Sequence, residues 1–132
     1  MFLNNCCRFI GSLVHNVELH YTTAKVPVLS FTLAVKRETP DTDGEWRTDF
    51  IKFTAWRTQA EKIAKSYQKG DLITVLGRLQ MHSSDDGSGH ILQSAEVIVC
   101  ESRKILSSST RQQESLHQNN NSKSESENHE DV

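Results

Sequence analysis

Two stretches of strict alternation constrain this chain more than any other feature in it. In residues 26–37, Leu29, Phe31, Leu33 and Val35 fall on one side of an extended strand, and Ser30, Thr32, Ala34 and Lys36 on the other. In residues 46–56, Ile51, Phe53 and Ala55 share a side with Arg47 and Asp49, while Trp46, Thr48, Phe50, Lys52, Thr54 and Trp56 occupy the opposite one. Successive side chains of a strand point to opposite faces of its sheet, so a period of two predicts strands with one core face and one solvent or ligand face. The segment 38–45 between them holds Pro40, Asp41, Asp43 and Gly44 and reads as a loop.

The rest of the pattern supplies a fold. Residues 5–14 read as a first strand, with Gly11 marking a bulge or a sharp bend. Thr58 and Glu61 have the spacing of a helix capping box. Ala60, Ile63, Ala64 and Tyr67 follow at helical spacing, and Gly70 is expected to close the helix. Residues 72–79 form a fourth strand, with Ile73, Val75 and Leu79 on one side; 83–89 is a flexible hairpin tip; and 90–100 is a fifth strand. Three strands, one helix and two strands is the element order of an all-β, five-stranded oligonucleotide-binding (OB-fold) barrel with its helix between strands 3 and 4. A four-stranded α+β sheet with one helix is the alternative.

With 132 residues, the chain has room for one domain of ordinary size. Residues 1–106 carry 13 of the 15 Lys and Arg and 12 of the 17 Asp and Glu, a net of +1, whereas 107–132 carry 2 and 5, a net of −3. Composition changes abruptly after Leu106 to Ser, Gln, Asn, Glu and Lys. Such a segment buries too little apolar surface to offset an ordering cost of roughly 1–2 kcal/mol per residue, so 1–106 is expected to fold and 107–132 to stay disordered. No stretch reaches the roughly 18 apolar residues of a membrane span, and the first residues lack a signal-peptide pattern, which points to an intracellular protein. Cys6, Cys7 and Cys100 are expected as buried, reduced thiols; no spacing suggests a metal site, and nothing calls for a cofactor.

The polar face of residues 46–56 suggests its own chemistry. A protein that holds single strands without reading sequence needs flat π surfaces for bases, each worth roughly 1–3 kcal/mol, and cations spaced along the phosphates. Phe50 and Trp56 offer the first and Lys52, between them, the second; Trp46 extends the row. Lys36 and Arg37 end the neighbouring strand, and Arg57 and Arg78 add charge. The competing reading is that these aromatics are core, but turning the strand over would bury Lys52 and expose Ile51 and Phe53. Lys62, Lys65 and Lys69 read as a solvated helix face. His15, His20, His82 and His90 have no acid–base partner at a fixed spacing and no nucleophile motif is present, so no catalytic activity is expected.

Several ordered segments together resemble the bacterial-type single-stranded DNA-binding protein family. They are Phe9-Ile-Gly-Ser-Leu13 with Val17-Glu-Leu-His-Tyr-Thr22; Val28-Leu-Ser-Phe-Thr-Leu-Ala-Val-Lys-Arg37; Thr48-Asp-Phe-Ile-Lys-Phe-Thr-Ala-Trp-Arg57, continuing to Ala64; and Lys69-Gly-Asp-Leu-Ile-Thr-Val-Leu-Gly-Arg-Leu79, with Ser94-Ala-Glu-Val97 opening the last strand. The resemblance covers roughly residues 4–104. It implies base stacking at Phe50, Trp56 and Tyr21, phosphate contact at Lys52 and Lys69, a homotetramer, and a cytoplasmic, nucleoid-associated role coating single-stranded DNA in replication, recombination and repair. His20, Gln80 and His82 stand where the family commonly has arginine. Thr39 and Ser84 stand where it usually has two further aromatics, which implies weaker binding or a shorter footprint. The family's tail docks replication and repair proteins through a Pro-Phe tip; the terminal Glu-Asn-His-Glu-Asp-Val lacks it, so weak recruitment is expected. An OB-fold accessory or primosome-type module that binds protein more than nucleic acid is the alternative function, and the choice between DNA and RNA stays open.

Overall fold

The computed structural model describes residues 4–110. It contains β1 (Cys7–Leu13), β2 (His20–Tyr21), β3 (Pro27–Lys36), β4 (Thr48–Trp56), α1 (Thr58–Ser66), β5 (Leu72–Asp85) and β6 (Ile91–Leu106). The sheet runs β1-β5-β6-β4-β3-β2, and an additional β1–β3 pairing closes it into a barrel. The five long strands and single helix are the OB-fold arrangement; β2 is a two-residue addition at the edge of β3. β4 and β6 run parallel, whereas the other neighbouring strands are antiparallel.

The alternation of β3 and β4 builds the core. Leu29, Phe31, Leu33, Phe53 and Ala55 are all buried, with Ile51 packed against them. Phe31 and Phe53 stack with centroids 5.1 Å apart, and Phe9 meets Phe53 edge-on at 5.5 Å. Ile73 and Val75 of β5, Val97 and Val99 of β6, and Ala60 and Ile63 of α1 complete it. Gly11 lies where β1 leaves β5 for β3: a Cβ there would sit 2.6 Å from the Ala34 carbonyl oxygen. This is the close approach of a bend, and the β1 register through Gly11 is unbroken.

Several local expectations are corrected. The capping box does not form. Arg57, at φ 59° and ψ −127°, precedes the helix, and Thr58 is already its first residue, so no side chain caps it. The helix stops at Ser66, not at Gly70, because Tyr67 turns to extended backbone and buries its ring, its hydroxyl 3.0 Å from Ser102 Oγ. Gly70, at φ 89°, serves the turn into β5. Trp46 falls before β4, and Ser83 to Asp85 are strand, which leaves only 86–90 as the hairpin turn. Leu79 shares the side of Ile73 and Val75, as its pairing with Val97 shows, but is exposed, since the β1 neighbour of β5 ends at the Cys7–Gly77 pair. The thiols are free but not buried: Cys6 precedes β1, Cys100 is the extra residue at that register shift, and both are exposed, while Cys7 is half-buried.

Asp71 ties the C-terminal end of the barrel together. Its fully buried carboxylate accepts the backbone N–H of Gln68 and of Ser108, each at 2.8 Å, and lies 3.2 Å from Lys104 Nζ. Burial alone would raise its pKa, but these donors and the lysine charge outweigh it and hold the carboxyl below the usual range. Residues 108–110 begin a helical turn, so the start of the expected tail is anchored to the barrel; 111–132 lie outside the described residues.

Candidate nucleic-acid interface

Register decides which side chains share the outer face. β3 and β4 place Val28 opposite Trp56, Ser30 opposite Thr54, Thr32 opposite Lys52, Ala34 opposite Phe50 and Lys36 opposite Thr48. Directly opposed residues project to the same side, and the intervening pairs are the core pairs named above. The face continues across β6 and β5, where Ile98 opposes Arg78, Glu96 opposes Gln80 and Ser94 opposes His82. It is thus four strands wide, in the order β3-β4-β6-β5.

Phe50 and Trp56 stand on this face with 68% and 42% of their surface exposed. Six residues of extended chain separate them by about 20 Å. Lys52, exposed between them, makes no ion pair among the described residues. What sits beside it was not legible in the sequence. Thr54 is buried and donates its hydroxyl to Glu96 Oε2 at 2.5 Å, and His82 Nε2 bonds the other oxygen of that carboxylate. The Thr54 hydrogen bond first, then His82 and the nearby Lys52 charge, keep the Glu96 carboxyl below its usual range against partial burial. The result is a fixed anion that cross-links β4, β6 and β5 at the centre of the face. Its signal in the sequence was a lone acidic residue in phase with Ile98, between Ala95 and Val97.

The remaining expected residues divide by position. Lys36 is exposed on the same face and makes no ion pair among the described residues. Arg37 is already engaged: its Nε and Nη2 donate to the two carboxylate oxygens of Asp49 at 3.0 and 2.9 Å, which raises the guanidinium pKa and lowers that of Asp49. Arg57 and Tyr21 both flank Pro27, at the Trp56 end: the Arg57 N–H bonds the Pro27 carbonyl at 2.8 Å, and Tyr21 is the β2 partner of Pro27. Tyr21 is 61% exposed but on the opposite pleat; its neighbour His20 shares the pleat of Val28 and Trp56. Arg78 lies on the far side of the face, in a 340 Å³ cleft with Asn5, Cys6 and Cys100. Lys69 lies in the segment between α1 and β5, its N–H bonded to Asn16 at 3.0 Å, away from the β3–β4 pleat. Thr39 and Ser84 are exposed and contribute no aromatic surface. Among the described residues, no group of His, Cys, Asp and Glu has the arrangement of a metal site, and no helix is long and apolar enough to cross a membrane.

Comparison with known proteins agrees with this architecture. Residues 4–106 match the single-strand binding protein family. The chain is 39% identical over 103 residues to a single-stranded DNA-binding protein of Streptococcus pneumoniae, covering 78% of this chain and 66% of that protein. It is 40% identical over 97 residues to single-stranded DNA-binding protein 1 of Streptococcus pyogenes, covering 74% of each. With single-stranded DNA-binding protein 3 of Streptococcus agalactiae the identity is 35% over 115 residues, covering 87% of this chain and 83% of the relative. Barrel, exposed aromatic face and these matches place the chain in the single-strand binding protein family.

Proposed function

We propose that this protein binds single-stranded DNA with little regard to sequence and coats it during replication, recombination and repair. The observation that carries this reading is the pair of exposed aromatics, Phe50 and Trp56, on one pleat around Lys52, which has no ion pair among the described residues. Exposed rings in register with a cation are poor core design and good stacking design. Bases stack on the two rings, and phosphates meet Lys36, Lys52, Arg57, Arg78 and Lys69, with Tyr21 bordering the Trp56 end. Arg37 contributes once a phosphate competes with Asp49. The protein acts by binding, with no catalytic step. The names of the relatives favour DNA over RNA as ligand.

Assembly as a homotetramer fits the exposed apolar Ile10, which lies on the outer side of β1 and β5 with Thr74 and Leu76. The folded unit is 1–106, with a tail that contributes at most weak docking of replication and repair proteins, and the site of action is the nucleoid in the cytoplasm. The test is fluorescence anisotropy of labelled oligo-dT and of a matched duplex, at two salt concentrations. Tight, salt-sensitive binding of the single strand, lost in Phe50→Ala/Trp56→Ala protein that melts normally, supports the reading. Equal affinity for the duplex, or no loss in that variant, overturns it. Sedimentation of the free protein decides the tetramer.

A further inference from the structure

One large aromatic is left outside the face just described. Trp46 precedes β4, in the loop that joins β3 to β4, and is 66% exposed. The loop is closely knit. Arg47 donates to Asp41 at 2.7 Å and to Asp43 at 2.8 Å, and its carbonyl accepts the Arg37 N–H at 3.1 Å. The Asp41 N–H bonds the Glu45 carbonyl at 2.8 Å, the Gly44 N–H bonds the Asp41 carbonyl at 2.9 Å, and Gly44 takes φ 81°, which suits glycine. Trp46 is therefore presented by a fixed backbone, and little ordering entropy opposes a ligand that lands on it.

Beside the indole is a cleft of about 450 Å³ lined by Lys36, Arg37, Trp46, Arg47 and Thr48. Lys36 and Thr48 are direct partners on the outer pleat, so the cleft opens on the same face as Phe50, one pleat position beyond Thr48. Its charges are unequal in availability. Arg37 is held by Asp49, and Arg47 by Asp41 and Asp43. Lys36 is the cleft's cation without an ion pair among the described residues. A flat exposed ring next to an unpaired ammonium matches one nucleotide unit, base on ring and phosphate on cation.

We infer that Trp46 and Lys36 form a third nucleotide-binding station, which takes one base and its phosphate as the strand runs off the end of β4. It rests on the proposed single-strand binding and lengthens its path from Trp56 through Phe50 to the β3–β4 loop.

Only two tryptophans are present, so each can report alone. In full-length Trp56→Phe protein the sole indole is Trp46; in Trp46→Phe protein it is Trp56. Both are titrated with short and long oligo-dT, and Trp46→Ala and Lys36→Ala affinities are measured across a salt series. The expected result is quenching of Trp46 by the long oligonucleotide, a roughly 5- to 150-fold loss of affinity in Trp46→Ala, and a salt slope reduced by about 0.7 in Lys36→Ala. Quenching of Trp56 with silent Trp46, or quenched Trp46 with undiminished Trp46→Ala affinity, overturns the third station and leaves the binding face standing. If neither indole responds, both readings fall.

Discussion

Arg57→Gly should make the barrel more stable and its hold on single-stranded DNA weaker at the same time. Arg57 sits at φ 59° and ψ −127°, fixed there by its N–H bond to Pro27 at 2.8 Å and by the Glu61 N–H on its own carbonyl at 3.1 Å. A side chain held in this region costs about 1–3 kcal/mol, a cost that glycine avoids. Glycine in turn loses about 0.5–1 kcal/mol through its freer unfolded chain. The net gain expected for Arg57→Gly is therefore about 0–2.5 kcal/mol, centred near 1 kcal/mol. Arg57→Ala keeps the backbone strain and removes the same exposed guanidinium, so its stability should stay within about 0.5 kcal/mol of the parent. Both variants lose one phosphate contact, which lowers the salt slope for oligo-dT by about 0.7. Urea unfolding followed by circular dichroism reads the first effect, and anisotropy across a salt series the second. If Arg57→Gly unfolds at the same urea concentration as Arg57→Ala, the turn stores no strain. If both keep the parent slope, Arg57 does not meet phosphate.

Gly77→Ala places a Cβ 2.5 Å from the Ile98 carbonyl oxygen and 2.6 Å from Val97 Cγ1. Because the first neighbour is backbone, a loss of about 1–3 kcal/mol in thermal or urea unfolding is expected. Asp71 has a depressed folded pKa, so its contribution to stability is present above the ordinary aspartate value and is lost as pH falls through the folded one. Urea midpoints measured from neutral pH into the acid range should show this loss, and Asp71→Asn should be less stable at neutral pH and flatter across the series. Glu96→Gln removes an anion from the centre of the DNA face, and oligo-dT affinity at low salt should rise roughly two- to fivefold, an advantage that added salt erases.

Strand alternation was the part of the fold most legible in the sequence. The face of β4 was readable because a strand displays every second residue, so the positions of Phe50, Lys52 and Trp56 relative to Ile51, Phe53 and Ala55 follow from counting alone. What escaped were features decided by tertiary contact. Thr58 and Glu61 have capping spacing, but the chain enters the helix through a strained Arg57, one position too early for it. Gly70 looked like a helix stop, yet the burial of Tyr67 had already ended α1. Cys100 follows Val99 in what looks like a regular strand, and the register shift against β5 that leaves it without a direct partner is not legible in the sequence. In the site, the engagement of Arg37 by Asp49, twelve residues away, and the bonding of the Glu96 carboxylate to Thr54 and His82 on two other strands depend on pairing that composition does not encode.

The arm formed by β5 and β6 follows a different stability regime from the barrel that carries it. β5 has strand neighbours on both edges only as far as Gly77, and the Asn5 side-chain amide then supplies one more rung by bonding both the N–H and the carbonyl of Leu79. Beyond that point each amide is bonded only across the hairpin, and a two-stranded ribbon alone is marginal in water. Opening free energy should therefore fall stepwise from Leu79 towards 86–90, so that the outer rungs unzip many times for each global unfolding event. A strand that lands on the inner part of the arm meets a surface fixed by the barrel, whereas one that reaches the tip meets a surface it must itself hold closed.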